Sequence, residues 1–141
     1  MTFAYTDVFI TLASTQLEIL TNFYTEIFSI NPNSYIPNIY AEFQLSGLRL
    51  GIFQPRETDI SEFKIDQQGG RMSLCLEVKN LESAIAHFTA LGYPPPGEII
   101  TASHGREIYA YDPDGNRLIL HQAKNDKLTE NPSNNQQKNK S

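Results

Sequence analysis

Few side chains in this sequence are suited to acid–base or nucleophilic chemistry, and none of them stands in a known catalytic motif. The histidines are His87, His104 and His121, and Cys75 is the single cysteine. No Gly-x-Ser-x-Gly elbow, phosphate-binding glycine-rich loop or dinucleotide fingerprint occurs. Because no histidine is spaced to activate its thiol, we interpret Cys75 as a small buried residue rather than a nucleophile. We interpret His87 and His104 as a helix-surface residue and a loop residue.

Glu77 and His121 form the best remaining pair for general acid–base catalysis. Both fall near the ends of predicted strands, and a carboxylate beside an imidazole can move a proton at neutral pH. In this hypothesis Glu77 is the general base, and Asp7 is a further candidate for the same site. The structural alternatives are that Glu77 only faces solvent, that His121 only ends its strand, and that Asp7 begins its strand in water.

The elements that must position these residues are visible as periodic patterns in the first half of the chain. Apolar residues alternate with others along Asp7–Leu12, which predicts a half-buried strand. Ser14 or Thr15 is predicted to cap a helix, and Glu18 completes a capping box with Thr15. The apolar residues that follow at helical spacing are Leu17, Leu20, Phe23, Tyr24 and Ile27.

A hairpin is predicted after this helix. Pro32 and Pro37 indicate a loop. The two strands, Glu42–Leu45 and Leu48–Phe53, flank a turn at Ser46-Gly47. The first half therefore consists of a strand, a helix and further strands.

The second half repeats this order at a shift of about 64 residues, which indicates two related modules. Its predicted elements are a strand at Ser73–Val78, a helix from Leu81 to Leu91 that stops at Gly92, and strands Glu107–Tyr111 and Arg117–Gln122 around a turn at Asp112–Asn116. Each copy has one helix for one sheet face, which leaves the other face to curve around a cavity.

The cavity-facing residues follow from the alternation of side chains along each strand. If Val8, Ile10 and Leu12 pack on a helix, Phe9 and Thr11 face the cleft. Aromatic walls with a few polar groups are typical of an organic-ligand pocket, and the alternative is a closed core or a dimer interface. Arg49 and Arg106 are candidates to meet a ligand carboxylate. The predicted ligand-binding residues are Phe9, Thr11, Glu42, Arg49, Phe53, Ser73, Cys75, Tyr109, Tyr111 and Ile119.

Length and composition favour one globular domain. The chain has 141 residues, of which 40% are hydrophobic, and its net charge is −5. One cysteine excludes an intrachain disulfide and a cysteine-based zinc finger. An acidic chain whose arginines are scattered singly is not expected to bind nucleic acid. We expect a domain at residues 1–122 and a disordered polar tail at 123–141.

The same sequence predicts neither a membrane segment nor a secretory signal. No apolar run approaches the roughly 18 residues that a membrane helix needs. The stretch from Met1 to Asp7 lacks a basic region followed by an apolar one. We therefore expect a cytoplasmic protein that makes no membrane contact.

The layout resembles the vicinal oxygen chelate superfamily, which includes glyoxalase I, extradiol dioxygenases and bleomycin-resistance proteins. The resemblance implies an α+β fold of two tandem βαβββ modules, about 5–60 and 71–122, whose mixed sheet curves around a cleft with pseudo-two-fold symmetry. It also implies a homodimer. The residues that carry the resemblance are Phe23-Tyr24 and Ile27-Phe28 in the first helix, Leu81-Glu82, Phe88 and Leu91-Gly92 in the second, and the turn Asp112-Pro113-Asp114-Gly115-Asn116.

The metal ligands that this resemblance implies are missing. In the family's metalloenzymes a His, Glu or Gln lies on the first strand of each module, and a carboxylate lies on each last strand. The matching positions are Phe9 and Ser73 on the first strands and Gly51 and Ile119 on the last. None of these side chains is a good donor for a divalent ion. We expect no metal and no cofactor, which argues against glyoxalase-I-like isomerase and dioxygenase chemistry at the usual site.

Three functions remain after this reasoning. The first is metal-independent binding of a small organic molecule in an aromatic-lined cleft. The second is a lyase, isomerase or dioxygenase with an atypical site around Glu77 and His121. The third is a non-catalytic domain whose aromatic sheet surface binds a protein partner.

Overall fold

The computed structural model of the protein describes residues 3–65 and 67–124. The chain divides into two compact units, Met1–Gly70 with Asp112–Asn116 and Arg71–Tyr111 with Arg117–Ser141. From position 125 onward, the predicted polar tail lies outside the described residues. No helix in the described ranges is both long enough and apolar enough to cross a membrane.

The first unit contains one strand–helix–three-strand module. Its elements are β1 (Ile10–Ala13), α1 (Leu17–Phe28), β2 (Ser34–Ile36), β3 (Tyr40–Leu45) and β4 (Leu48–Phe53), followed by a 3-10 segment at Glu57–Phe63. The strands form a mixed sheet in the order β1-β4-β3-β2, in which β1 runs parallel to β4 and the other pairs are antiparallel. The predicted hairpin at Ser46-Gly47 is confirmed, and Gly47 has the positive φ of 79° that suits a tight turn.

The second unit repeats the same order of elements. These are β5 (Gly69–Glu77), α2 (Leu81–Ala90), β6 (Ile100–Ala102), β7 (Gly105–Tyr111) and β8 (Asn116–Ala123). The sheet order, β5-β8-β7-β6, matches that of the first unit position by position. The predicted α+β fold with two tandem βαβββ modules is confirmed, whereas the cleft between the modules stays a prediction.

Each sheet is covered on one face by the helix of its own module. Every second residue of the central strands is buried, as the alternation of the sequence predicts. The helix at Leu81–Ala90 ends where Gly92 adopts a φ of 96°, as expected. The buried apolar residues are Leu17, Leu20, Phe23, Tyr24, Ala41, Phe43, Leu50 and Ile52 in the first unit, and Leu81, Phe88, Ile108, Ala110, Leu118 and Leu120 in the second.

Local predictions at the start of the chain are partly wrong. The first strand begins only at Ile10, and Val8 is 79% exposed rather than packed on a helix. Residues 7–9 are not paired in the sheet, so period-two alternation there has no ladder to act on. The helix N-cap is Gln16 and no side chain caps it, because the hydroxyl of Ser14 accepts its hydrogen bond from the backbone NH of Gln16 at 3.0 Å instead.

Two short strands, β2 and β6, were not predicted from the sequence patterns. β2 lies within the proline-flanked segment that was predicted as a loop, and β6 precedes the β7 hairpin. Each has three residues, which is too short for alternation to be recognised. Their pairing with β3 and β7 supplies the order that their own sequences do not encode.

Asp112 is the main buried polar anchor of the first unit. Its carboxylate is 3% exposed and accepts the hydroxyl of Tyr24 at 2.6 Å and the side-chain amide of Asn116 at 2.9 Å. The backbone NH groups of Asp114 and Asn116 also donate to it, each at 2.9 Å. Burial raises the pKa of Asp112, and these donated hydrogen bonds act in the opposite direction. The turn predicted at Asp112–Asn116 is therefore tied to α1 through Tyr24.

Tyr24→Phe removes one donor from this buried carboxylate and keeps the ring in place. We expect a loss of about 1–3 kcal/mol in the free energy of unfolding, because a buried acceptor is left with one partner fewer. Urea denaturation followed by circular dichroism measures it. Tyr35→Phe is the matched control, since Tyr35 is 42% exposed, and its expected change is within about 0.5 kcal/mol. Equal effects of the two substitutions would contradict this role of Asp112.

Candidate functional site

The face of the first sheet that points away from α1 carries most of the residues predicted for it. Glu42 lies opposite Gly51 and Gln44 lies opposite Arg49 across β3 and β4. Phe53 lies opposite Tyr40 at the end of the same ladder. Residues that pair directly in an antiparallel ladder share a face, so these side chains form one continuous surface. Thr11 pairs with Gly51 from β1.

Arg49 is the centre of this surface. Its guanidinium lies 4.1 Å from the centre of the Phe9 ring, which is cation–π geometry. It forms an ion pair with Asp7, and its Nη1 lies 4.0 Å from Oε2 of Glu42. Within the described residues, Nε of Arg49 is buried and has no acceptor. The sequence reasoning placed Phe9, Glu42 and Arg49 on one face, and the structure brings them together.

Glu42 is held by two further neighbours. The hydroxyl of Tyr40 donates to its Oε1 at 2.8 Å, and the amide of Asn33 donates to its Oε2 at 3.2 Å. These hydrogen bonds lower the pKa of Glu42, with that from Tyr40 as the largest cause. Asn33 and Tyr40 were not among the predicted site residues. Tyr40 had a usable signal, since it lies two residues before Glu42 and therefore shares its strand face.

Packing in the same cluster explains why residue 51 is a glycine. A Cβ built on Gly51 would lie 2.7 Å from the hydroxyl of Tyr40 and 3.1 Å from its Cε1. The phenol therefore occupies the space that a side chain at Gly51 would need. A carboxylate at this position would require the Tyr40 ring to move and to give up its bond to Glu42.

The corresponding face of the second sheet is built around β7 and β8. Tyr109 pairs with Ile119 and Tyr111 pairs with Arg117 across this ladder. Nε of Arg117 donates to Oγ of Ser73 on β5 at 2.7 Å. Tyr109 is 40% exposed, so its ring is accessible. Aromatic and polar groups are thus brought together on this face.

Cys75 lies exposed on β5, which corrects the interpretation of this residue as buried. Desolvation raises the pKa of its thiol, and the carboxylates of Glu77 and Glu107 raise it further. A thiol with a raised pKa is a poor nucleophile, which agrees with the interpretation that Cys75 is not a nucleophile.

Glu77 and His121 are in direct contact in the second unit. Nδ1 of His121 lies 2.7 Å from Oε1 of Glu77, and the backbone NH of Ala123 donates to Oε2 of Glu77 at 2.8 Å. These contacts lower the pKa of Glu77, with the His121 hydrogen bond as the largest cause. The structure therefore brings together the pair that was proposed for acid–base chemistry. The base role of Glu77 stays a prediction.

His104 joins this pair, although the sequence reasoning treated it only as a loop residue. It lies in the turn between β6 and β7, and its Nδ1 is 3.1 Å from Nε2 of His121. The two imidazole rings are stacked with centroids 5.2 Å apart. No local pattern around His104 signals this contact, because it depends on the pairing of β6, β7 and β8.

Asp7 lies in the first unit, where it forms the ion pair with Arg49. That Asp7 shares a site with Glu77 stays a prediction.

The side chain of Arg106 lies on the face of the second sheet that α2 covers. Its Nη1 and Nη2 donate to the two oxygens of Glu82 on α2 at 2.6 Å and 3.0 Å, and Nη2 also donates to Gln122 at 3.2 Å. This bidentate pair lowers the pKa of Glu82 to about 2. Arg106 was considered as a partner for a ligand carboxylate, but its guanidinium is already engaged by Glu82.

A shallow pocket in the first unit lies apart from all the predicted residues. It has a volume of about 700 Å³ and is lined by Thr15, Glu57, Ile60, Ser61, Lys64, Ile65 and Gln67. Its lining combines the charged residues Glu57 and Lys64 with two isoleucines and includes none of the predicted site residues.

Comparison with protein families agrees with the architecture. The profile of the Glyoxalase/Bleomycin resistance protein/Dioxygenase superfamily matches residues 8–120. The chain belongs to this superfamily. Comparison with curated protein sequences finds no match. Membership settles the fold of this glyoxalase-superfamily chain and leaves its reaction open, because the same scaffold carries different sites.

Solved structures with the same fold include enzymes. A glyoxalase-related enzyme from Fulvimarina pelagi is 22% identical, with 84% of this chain and 88% of that chain covered and a TM-score of 0.66. The fosfomycin resistance protein FosX from Listeria monocytogenes is 21% identical, with coverages of 86% and 96% and a TM-score of 0.67. Lactoylglutathione lyase from Agrobacterium tumefaciens is 19% identical, with coverages of 84% and 94% and a TM-score of 0.62. At these identities the similarity shows the fold.

The four positions at which the superfamily resemblance implies metal ligands do not fit a divalent ion. Phe9 and Ile119 have hydrocarbon side chains, and the space beside Gly51 is filled by Tyr40. Oγ of Ser73 accepts a hydrogen bond from Arg117, a cation. Residues 3–65 and 67–124 contain no group of three or more His, Cys, Asp or Glu side chains arranged to hold a metal ion.

Gly51→Ala tests the packing of Tyr40. The added Cβ displaces the phenol from Glu42, and we expect the free energy of unfolding to fall by about 0.5–1.5 kcal/mol, the contribution of a hydrogen bond. The pKa of Glu42 is expected to rise towards its ordinary value, because its largest lowering cause is lost. Carboxyl-detected NMR titration and urea denaturation measure the two effects.

Gly97→Ala is the matched control, because a Cβ there meets nothing within 4 Å. We expect it to change neither the Glu42 titration nor the stability. If Gly51→Ala also left Glu42 titrating as in the wild type, the steric explanation of Gly51 would be wrong.

Arg106→Gln tests the assignment of Arg106 to Glu82. In the folded protein the pKa of Glu82 is lowered to about 2. Loss of the guanidinium is expected to return this pKa to about 4.3, the ordinary value for glutamate. NMR titration of the Glu82 side-chain carboxyl measures the shift. Arg56→Gln, which removes an arginine paired with Asp59, serves as the control. A midpoint that stays near about 2 in Arg106→Gln would refute the assignment.

Proposed function

We propose that this superfamily member binds a small organic molecule through the aromatic and polar side chains of the open sheet face of one unit, without a divalent ion at the superfamily's ligand positions. The observation that carries the proposal is the replacement at two of those positions. Arg49 covers Phe9, and Tyr40 fills the space beside Gly51. Both replacements introduce groups that bind organic molecules by stacking and hydrogen bonding.

Arg49 supports binding of a carboxylate or another anionic group in the first unit. A guanidinium that is stacked on an aromatic ring keeps its planar edge of donors available for an oxyanion. Its present partner Asp7 has a side chain that is 58% exposed, so this carboxylate can leave without opening the core. The ligand carboxylate then takes the place of Asp7, and Phe9 offers an apolar surface beside it.

Tyr109, Tyr111 and Ile119 support binding of an apolar or aromatic body in the second unit. Two tyrosines on one strand face offer ring surface together with hydroxyl groups. Arg117 and Ser73 bond to each other beside them, so the polar groups at that end already have partners.

The homodimer and the cytoplasmic location remain predictions. Sedimentation velocity of the full chain tests whether it forms a homodimer.

A second candidate is an enzyme with an atypical site, and a specific contact favours it. Glu77 and His121 form a hydrogen bond of 2.7 Å on an open sheet face. Lyase or isomerase activity at such a site would proceed by proton transfer, without chelation by the superfamily ligands. Turnover that is lost in Glu77→Gln while binding is retained would support this candidate.

Native mass spectrometry and metal analysis of the untagged full chain test the proposal. We expect a bound organic molecule, or binding of aromatic carboxylates from an added panel, and less than one equivalent of any divalent ion. Arg49→Gln is expected to weaken binding of a carboxylate ligand by about tenfold or more, which corresponds to about 1.4 kcal/mol. Arg56→Gln, on the exposed 3-10 segment side of the unit, is the control and is expected to bind as the wild type.

Two results would overturn this proposal. One stoichiometric divalent ion in natively purified protein would remove its metal independence. Unchanged binding of aromatic carboxylates in Arg49→Gln would remove Arg49 from the site.

A further inference from the structure

Three side chains in the second unit form a continuous chain of hydrogen bonds. Glu77 lies on β5, His121 lies on β8, and His104 lies in the turn between β6 and β7. The two links measure 2.7 Å, from Oε1 of Glu77 to Nδ1 of His121, and 3.1 Å, from Nε2 of His121 to Nδ1 of His104. Both imidazole nitrogens of His121 are therefore in use.

The chemistry of the two ends decides where the protons lie. An ionised carboxylate can only accept, so Nδ1 of His121 carries a proton and donates it to Glu77. A neutral imidazole with a protonated Nδ1 has an acceptor at Nε2, so Nδ1 of His104 must donate to it. Nε2 of His104 is then an unprotonated acceptor. It has no hydrogen-bond partner in the described part of the chain, and His104 is exposed.

Backbone contacts hold both ends of this chain in place. The NH of Ala123 donates to Oε2 of Glu77 at 2.8 Å, and the NH of Lys124 donates to the carbonyl of His104 at 3.1 Å. Gly105, at a φ of 147°, follows His104 directly, and a Cβ there would run into the backbone carbonyl of Gln122. The turn that carries His104 is thus pressed against β8, which fixes the distance between the two rings.

We propose that Glu77, His121 and His104 form a proton relay, in which Nε2 of His104 accepts a proton from the hydroxyl of an organic ligand. The inference rests on the proposed function in the second unit, and it deepens the enzyme candidate by moving the base from Glu77 to His104. His104 is the catalytic residue, whereas His121 and Glu77 are positioning residues. The O–H bond of the ligand breaks, its electron pair stays on oxygen, and an N–H bond forms on His104.

The charge left by this step explains why the relay needs three members. Proton uptake places one positive charge on the imidazole pair, and the carboxylate of Glu77 faces it through His121. Through the two hydrogen bonds this charge can move from His104 to His121, next to the carboxylate.

The groups around the pair indicate which ligands it suits. Glu107 lies directly opposite His121 in the ladder, and Cys75 shares the face from β5. Arg117 is bonded to Ser73 near the other end of β8. The carboxylates of Glu77 and Glu107 lie beside His121, and they disfavour a ligand that arrives already as an anion. We therefore assign the base to a neutral alcohol or phenol whose apolar body lies against Tyr109 and Ile119.

Nitrogen-detected NMR of the uniformly ¹⁵N-labelled full chain tests the proton positions without any ligand. At about pH 8, where imidazoles are neutral, we expect both His104 and His121 to carry their proton on Nδ1 and to have an unprotonated Nε2. His104→Gln and His121→Gln assign the signals. A proton on Nε2 of His104, or none on its Nδ1, would overturn the relay.

Glu77→Gln tests the role of the carboxylate in the same spectra. It replaces one acceptor oxygen by an amide donor, and we expect it to lower the population of His121 that is protonated on Nδ1. Glu107→Gln is the matched control, because Glu107 lies opposite His121 in the ladder without bonding to it, and we expect it to leave the tautomer as in the wild type. Equal effects of the two variants would overturn the relay.

Addition of 4-nitrophenol tests the ligand class, since its phenolate is visible by absorbance. We expect the Nε2 signal of His104 to shift on addition, and more phenolate to form on the wild type than on His104→Gln at equal pH. No shift at His104 would overturn the assignment to hydroxyl ligands. Because the ligand-free NMR results do not depend on Arg49 or on metal content, the relay and the proposed binding function fail separately.

Discussion

Strand side chains point alternately to two faces of a sheet, and each module of this chain has a single helix with which to bury one of them. The buried face carries Phe43, Leu50 and Ile52 in the first unit. In the second unit it carries Ile108, Leu118 and Leu120. The other face keeps whatever polar and aromatic groups the alternate positions carry. This division gathers side chains from several strands onto one surface, where they form most of the contacts on which the proposed functions rest.

On the faces that no helix covers, each carboxylate also needs hydrogen-bond donors that stabilise its negative charge. Glu42 is held by Tyr40 and Asn33, and Glu77 is held by His121 and the backbone of Ala123. Both carboxyls have lowered pKa values because their charged forms accept these hydrogen bonds. The faces thus carry fixed negative charges of known position, and any ligand must bring groups that tolerate them. Arg49 is the exception that can accept an anion.

The scaffold of the superfamily is retained here, although the donors that its metalloenzymes use are replaced. At Gly51 and Phe9 the replacement is coupled to neighbours, since Tyr40 fills one space and Arg49 covers the other. A carboxylate at Gly51 would have to displace the Tyr40 ring, so placing that single group there would not by itself create a metal site. On the second face, His121 lies two residues beyond the family position at Ile119 and contacts His104.

Much of this arrangement was predictable from local sequence patterns. The alternation around Phe43, Leu50 and Leu118 predicted which faces are buried, and the helical spacing of Leu17 to Ile27 predicted α1. The placement of Arg49 and Glu42 on one sheet face followed from the same alternation. The N-terminal strand at Val8 was wrong, because alternation is informative only where a neighbouring strand pairs with the segment.

The amino-acid sequence by itself determined the two modules and their buried faces, since both depend on residue type and on spacing within one element. Only the tertiary structure decided that His104 meets His121, that Tyr40 fills the space at Gly51, and that Arg106 turns to Glu82. His104 and His121 are 17 residues apart, and Glu77 is 44 residues from His121. Such contacts depend on strand register and on turn geometry, which local periodicity does not encode.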